Sequence, residues 1–205
     1  MSFFNDYIST LYNSLNSMIV TDKNCNLIEH DEAIREFVNI SKDVRDNNGY
    51  VFFVGNGSSF AIAEIIAFEA LQNADIKTIT ASNASYITAV GNDEGFLEVF
   101  NLQIKRMFSE NDLLITISSS GNSENIINTM HTARNIGGKI ITLSAMKENN
   151  NSRKLGDLNF YVPAKTYSTA EIAHLSILQS WLDLYINIYK KQENEQKYID
   201  RGLKQ

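Results

Sequence analysis

Short apolar runs that alternate with helical patterns dominate the chain beyond its first quarter. Five runs have this character, namely Tyr50–Val54, Ile76–Thr80, Leu113–Ile117, Lys139–Leu143 and Leu158–Val162. Helical spacing of apolar residues lies between or after them, at Phe60–Leu71, Gly95–Phe108, Glu124–Ile136 and Thr169–Tyr189. Because a short apolar run suits a strand buried on both faces of a parallel sheet, this alternation predicts an α/β fold. We expect a three-layer αβα sandwich built on a five-stranded parallel sheet.

Two amphipathic helices are predicted ahead of the sheet. Apolar residues from Phe4 to Met18 recur at helical spacing, a loop covers Thr21–Asn26, and a second helix runs from about Asp31 to Asn47. Neither helix carries residues suited to chemistry, so we interpret both as packing elements, and the first is also a candidate subunit interface. We therefore predict a single domain, divided into N-terminal helices (1–48), an αβα core (49–190) and a polar tail (191–205).

The charge balance argues against several kinds of partner. A formal net charge of −6 is unfavourable for a general nucleic-acid binder, which needs a basic face. No apolar run approaches the roughly 20 residues that cross a bilayer, and the N-terminus lacks the pattern of a signal peptide. The single cysteine, Cys25, excludes an internal disulfide. We expect a cytoplasmic protein that binds neither nucleic acid nor membrane.

Two polar loops follow predicted strands and lead into predicted helices. Gly55–Ser59 follows the first strand, and Ser118–Ser123 follows the third. Ligands of open α/β sheets bind at the carboxyl ends of the strands, where helix N-termini attract anions. We expect Ser58 or Ser59 to cap one helix and Ser120 or Asn122 the other. The alternative is that both loops are merely capped turns. Neither is a P-loop, because no Gly-Lys-Ser/Thr ending is present.

Four stretches of the chain together resemble the SIS (sugar isomerase) domain, and within it the phosphoheptose isomerase group. The resemblance extends from about Ser2 to Tyr189. Its motifs lie at Val54–Ser59, Val90–Phe96, Asp112–Ser123 and Ile172–Leu184. The resemblance implies a flavodoxin-like sheet, a pocket for a phosphorylated sugar, and a homo-oligomer, usually a tetramer, with active sites at subunit boundaries.

The resemblance also implies which residues hold the substrate. The family's phosphate-holding loop matches Ser118, Ser119, Ser120 and Ser123. Its first substrate loop matches Asn56, Gly57 and Ser58. A pair that contacts the hydroxyl chain of the sugar matches Asn92 and Asp93, although Asp93 could equally be an ordinary turn residue.

The chain departs from the family in the four-ligand cluster that serves as its metal or acid/base centre. The family has His and Glu four residues apart after the first loop, then Gln and His eight residues apart on the last helix. These positions fall here on Ile65, Glu69, Glu171 and Gln179, in a register that also places His174 on a family histidine. A register shifted by two residues would substitute Ala173 and Trp181. We expect no cofactor and disfavour a divalent metal such as zinc, because Ile65 offers no ligand and a neutral amide is a weak one.

Aldose–ketose isomerisation moves a proton between adjacent carbons and needs a base on carbon and a donor to the oxygens. Glu69 and Glu171 could form a carboxylate pair for this purpose, unless Glu69 is only a solvated helix residue. Gln179 can hold a hydroxyl but cannot shuttle a proton. His174 could replace the missing acid/base, although a buried core histidine is the alternative.

Two functions follow from these residues. The first is an isomerase for a ketose phosphate such as sedoheptulose 7-phosphate. The second is a non-catalytic phosphosugar binder, of the regulatory kind or of the kind that assembles with the bacterial replication initiator. A homotetramer or homodimer is expected in either case.

Overall fold

The computed structural model describes residues 2–190 and contains one mixed sheet with helices on both faces. The predicted polar tail, 191–205, lies outside the described residues. The strands are β1 (Ile19–Asp22), β2 (Leu27–Ile28), β3 (Val51–Gly55), β4 (Thr78–Thr80), β5 (Leu113–Ser118), β6 (Lys139–Ala145) and β7 (Leu158–Val162). The α-helices are α1 (Phe3–Asn16), α2 (His30–Asp46), α3 (Ser58–Ala74), α4 (Ala84–Asp93), α5 (Asn101–Met107), α6 (Glu124–Ile136) and α7 (Tyr167–Tyr189).

The strand order is β2-β1-β7-β6-β5-β3-β4. Strands β3 to β7 pair in parallel in the spatial order β4-β3-β5-β6-β7, which is the flavodoxin-like arrangement. This confirms the predicted α/β class and the parallel part of the sheet. The predicted total of five strands is wrong, because the antiparallel hairpin β1–β2 adds two strands beside β7.

The hairpin occupies the segment that the sequence predicts as the end of a helix and a loop. Val20 is buried against β7, so tertiary pairing rather than local propensity makes this short segment a strand. The turn is local, since the Asp22 Oδ1 carboxylate oxygen accepts from the backbone N–H groups of Asn24 and Asn26, both at 2.8 Å. Aspartate side chains commonly form such Asx turns.

The single helix predicted over Gly95–Phe108 is confirmed only in part, because α5 (Asn101–Met107) lies inside these bounds while Phe96–Glu98 forms a 3-10 turn. The chain forms α4 earlier, from Ala84, and Asn83 caps it by accepting a hydrogen bond from the backbone N–H of Tyr86 at 3.1 Å. Gly95, at φ +89°, breaks the helical path before a 3-10 turn and α5. Gly95 can adopt this backbone because it has no Cβ.

The core lies in two layers, one on each face of the sheet. Helices α2, α3 and α7 cover one face, α1 packs at its edge, and α4, α5 and α6 cover the other. Trp181 of α7 is fully buried and stacks on Phe37 of α2, with ring centroids 4.4 Å apart. The layers place the starts of α3, α6 and α7 at the same edge of the sheet. None of the helices within residues 2–190 is long and apolar enough to cross a membrane.

Candidate functional site

A cavity of about 290 Å³ opens at the carboxyl ends of β3 and β5. Its walls come from the loop before α3, the loop before α6 and the first turns of α7. The lining residues are Asn56, Gly57, Ser58, Ser59, Ser118, Ser119, Ser120, Ser123, Tyr167 and Glu171. The two loops predicted from the sequence therefore line one cavity.

Two helices begin at this cavity without a side-chain cap. Gly57, at φ +57°, is the N-cap residue of α3, and Ser123 is the N-cap residue of α6. Neither makes a side-chain capping bond, so the prediction that Ser58 or Ser59, and Ser120 or Asn122, cap these helices is wrong. The positive ends of both helix dipoles face the cavity, an arrangement that favours an anionic ligand.

The serine loop presents hydroxyl groups that other groups of the protein do not use. Ser118 and Ser119 are each 5% exposed, and their hydroxyls have no hydrogen-bond partner within residues 2–190. The hydroxyls of Ser120 and Ser123 lie 3.5 Å apart. Buried polar groups are normally paired, so unpartnered hydroxyls lining a cavity indicate a ligand site rather than a simple turn.

A second turn holds the serine loop in place. Gly121 adopts φ +61°, and a Cβ there would come within 2.1 Å of Asn150 Oδ1. The Asn122 Oδ1 oxygen accepts from the backbone N–H of Asn151 at 3.0 Å, and the Gly121 carbonyl accepts from Ser152 N–H at 2.9 Å. Within this second turn, Asn150 is 1% exposed and Ser152 is fully buried.

Asn56 and Asn125 tie the two loops together. Each side-chain amide donates to the carbonyl oxygen of the other, at 3.0 and 2.9 Å. The pair fixes the spacing between the start of α3 and the start of α6, and therefore the width of the cavity. Sequence reasoning found Asn56 but missed Asn125, which is separated from it by 69 positions.

Glu171 is the carboxylate of this cavity. The Ser58 hydroxyl donates to its Oε1 at 2.5 Å, which joins the start of α3 to α7. Tyr167, one turn earlier on α7, lines the same wall and was missed from the sequence. The Thr166 hydroxyl caps α7 by accepting from Thr169 N–H at 3.3 Å.

Glu69 lies elsewhere. Its Oε2 accepts a hydrogen bond from Gln179 Nε2 at 2.7 Å, and neither residue lines the cavity. Gln179 follows Glu171 by eight residues, which is about 12 Å along an α-helix. Within one chain, therefore, the structure does not form the predicted pair of Glu69 and Glu171.

The contact between Glu69 and Gln179 bears on the choice of register. The unshifted register brings two of the four family positions into direct contact. The shifted register would use Ala173 and Trp181, both fully buried in the core. The unshifted register stays a prediction, and the contact between Glu69 and Gln179 is consistent with it.

His174 is fully buried, and neither ring nitrogen makes a hydrogen bond of ordinary geometry within the described residues. Desolvation lowers its pKa to about 4, and the backbone of Ser144 acts weakly in the opposite direction. The side chain does not line the cavity. His174 is therefore a buried core residue within one chain, which is the alternative that the sequence left open.

Asn92 and Asp93 lie at the exposed end of α4 and do not line the cavity. The Asn92 amide donates to Asp93 Oδ1 at 2.7 Å. Both residues belong to a helix rather than to the turn considered from the sequence. Within one chain they are not part of the serine-lined site.

The residues at the four cluster positions do not fit a zinc site. Ile65 is 48% exposed and carries no ligand atom, and one oxygen of Glu69 is already bonded to the Gln179 amide. In the part of the chain that the structure describes, no three His, Cys, Asp or Glu side chains are grouped so that they could hold a metal ion.

Comparisons with known proteins agree with this combination of fold and site. The family model described as the SIS domain matches residues 23–145. A phosphoheptose isomerase from Aliarcobacter butzleri is 33% identical over 153 residues, covering 72% of this chain and 79% of the relative. One from Syntrophotalea carbinolica is 31% identical over 159 residues, covering 75% of this chain and 81% of the relative. The solved structure of a phosphoheptose isomerase from Francisella tularensis superposes with a TM-score of 0.77 at 25% identity, covering 90% of this chain and 95% of that one.

A doubly wound sheet with a serine-lined cavity at its carboxyl edge makes this chain an α/β protein with its ligand cavity at the position typical of open sheets. The chain belongs to the SIS domain family, and within it to the phosphoheptose isomerase group.

Proposed function

We propose that this protein is a phosphosugar isomerase that interconverts a ketose phosphate, such as sedoheptulose 7-phosphate, with its aldose. The cavity carries the proposal, because it combines an anion cradle with a fixed carboxylate. The relatives named phosphoheptose isomerase support the same class of reaction.

The phosphate is proposed to lie on the serine loop. Ser118, Ser119, Ser120 and Ser123 supply hydroxyl donors, and the start of α6 supplies a positive helix dipole. Hydrogen bonds to an ionised acceptor are stronger than neutral ones, so this loop can hold a phosphate without a lysine or arginine. Asn56, Gly57 and Ser58 then contact the part of the sugar nearest the phosphate.

Proton transfer is proposed to use Glu171 of one copy together with Glu69 of a neighbouring copy. Within one chain the two carboxylates are too far apart, while the family resemblance implies active sites at subunit boundaries. Glu69 lies on a helix face with Ile65 and Phe68, which are 48% and 63% exposed. An apolar surface of this kind beside a polar group suits an interface between copies, so we propose a homo-oligomer.

Gln179 is proposed to orient the Glu69 carboxylate through the 2.7 Å hydrogen bond from its amide. An amide neither gains nor loses a proton near neutral pH, so Gln179 cannot take the acid/base role of the family histidine. One carboxylate would then remove the carbon-bound proton to give the enediol and return it to the adjacent carbon, while the other carboxylate would move the proton between the two oxygens.

The test is exchange of the substrate's carbon-bound proton with deuterated solvent. Purified protein is incubated with sedoheptulose 7-phosphate, with and without a divalent metal, and exchange is followed by NMR. Glu69→Gln is expected to abolish exchange while retaining ligand binding. Glu64→Gln is the matched control, since Glu64 lies on the same helix, is exposed and does not line the cavity. Full exchange by Glu69→Gln would refute the assignment of the base.

A non-catalytic phosphosugar binder is the second candidate, and a specific observation favours it. Glu69, the proposed base, accepts a hydrogen bond from the Gln179 amide. Ile65 stands where the family has a histidine. Measurable binding of sedoheptulose 7-phosphate without any exchange would support this function for that sugar. We propose the cytoplasm as the location in either case, since phosphorylated sugars are made and consumed there.

A further inference from the structure

The cavity has an unusual charge distribution for a site that takes an anion. Of the residues that line it, Glu171 alone carries a charge, and none is a lysine or arginine. The serine loop and the start of α6 offer neutral hydroxyls and a helix dipole, while the carboxylate lies on α7 beside the start of α3. The resemblance aligns Glu171 with a neutral glutamine of the family, so the charge is a feature of this chain.

Ser58 fixes the position of this charge. Its hydroxyl donates to Oε1 of Glu171 at 2.5 Å, and Glu171 is half-buried at the start of α7. One carboxylate oxygen is thereby occupied, and the other is left to accept hydrogen bonds from a ligand. A fixed carboxylate in a partly desolvated cavity interacts with ligand charges more strongly than a mobile surface carboxylate does.

We propose that Glu171 is a specificity-determining residue that restricts the cavity to sugars bearing one phosphate and an otherwise neutral hydroxyl chain. Bisphosphorylated sugars and phosphorylated sugar acids are rejected. The inference rests on the phosphate position in the proposed function, but it concerns binding and does not depend on turnover.

The physical basis is that the Glu171 carboxylate attracts a sugar hydroxyl but repels an anionic group. A sugar hydroxyl donates to the carboxylate in a charge-assisted hydrogen bond. The carboxylate repels a second anionic group that lies about 6 Å away. This repulsion weakens binding about 3-fold at the dielectric constant of water and about 100-fold at the effective dielectric constant of a protein surface. Replacing the carboxylate by an amide of the same shape removes this repulsion.

The experiment compares sedoheptulose 7-phosphate with sedoheptulose 1,7-bisphosphate by isothermal titration calorimetry of the full chain. Wild-type protein is expected to bind the monophosphate at least 10-fold more tightly. In Glu171→Gln that ratio is expected to fall at least 3-fold. Glu124→Gln is the control, because Glu124 is exposed in the first turn of α6 but does not line the cavity, and its ratio should equal that of wild type.

Salt dependence gives a second measurement that needs no variant. Since repulsion between charges is screened by ions, the wild-type ratio is expected to shrink as ionic strength rises from about 0.05 M to about 0.5 M. An unchanged ratio in Glu171→Gln, or a wild-type ratio insensitive to salt, would overturn the proposal. Failure of wild-type protein to bind either ligand would overturn the phosphate site itself, whereas discrimination without proton exchange would contradict only the catalytic part of the proposed function.

Discussion

Ser119 allows binding and folding to be separated by one substitution, Ser119→Ala. The residue is 5% exposed, and its hydroxyl has no hydrogen-bond partner within residues 2–190. A buried unpaired hydroxyl destabilises the folded state by about 1–3 kcal/mol, so its removal should not reduce stability. A gain of about 1 kcal/mol would raise the Tm of a protein of this size by about 2–4 °C.

The same substitution should weaken ligand binding. If the Ser119 hydroxyl donates to a phosphate oxygen, its loss removes a hydrogen bond to a charged group worth about 1.5–3 kcal/mol. Such a loss would raise the Kd by about 10- to 150-fold. The variant is therefore expected to have a Tm at or above that of wild type and a much weaker response to sedoheptulose 7-phosphate.

Thermal unfolding with and without the ligand measures both effects in one series. Ser41→Ala is the control, because Ser41 is also buried but its hydroxyl donates to the Phe37 carbonyl at 2.9 Å. That variant should lose stability and keep the ligand response. The reasoning fails if Ser119→Ala is destabilised as much as Ser41→Ala, or if it keeps the full ligand-induced rise in Tm.

Three further predictions follow from other parts of the structure. Glu69→Gln and Glu171→Gln chains are expected to be inactive when each is made alone. When they are co-expressed, about a quarter of wild-type proton exchange should return if each site uses one residue from each of two copies. No recovery would contradict a shared site. Gly121→Ala should lower the free energy of unfolding in urea by more than about 2 kcal/mol, because Gly121 has φ +61° and a Cβ would meet Asn150 Oδ1 at 2.1 Å. His174 has its pKa lowered to about 4 from 6.5. Between these two pKa values only the unfolded state binds the proton. The free energy of unfolding therefore decreases as pH drops from 6.5 to about 4, by at most on the order of 3 kcal/mol. His174→Phe should flatten that dependence in unfolding curves, whereas His131→Gln, at an exposed position, should not.

The features that sequence reasoning located correctly are encoded by neighbouring residues. The serine loop is a continuous stretch between one buried strand and one helix, and a parallel sheet places its strand ends along a single edge. For the same reason the strand Leu158–Val162 and the helix Glu124–Ile136 were predicted with their observed bounds. Local pattern and tertiary structure agree at these positions.

The features that it missed depend on residues far apart in the chain. Asn125 acquires its role from Asn56, 69 positions away, and Glu171 acquires its geometry from Ser58, 113 positions away. The strand Ile19–Asp22 exists because β7 pairs with it. Neither apolar spacing nor composition encodes these juxtapositions, since each is a property of the assembled fold.

The two polar contacts between α3 and α7 show why Glu69 and Glu171 of one chain do not form a pair. Ser58 meets Glu171 near the starts of these helices, and Glu69 meets Gln179 farther along both. The helices therefore run side by side in the same direction, and each contact joins residues at a similar height. Glu69 and Glu171 lie at different heights, about two to three helical turns apart, so no rotamer change can bring them together. If both carboxylates take part in one reaction, a second copy must supply one of them, and catalysis then requires assembly while phosphate binding does not.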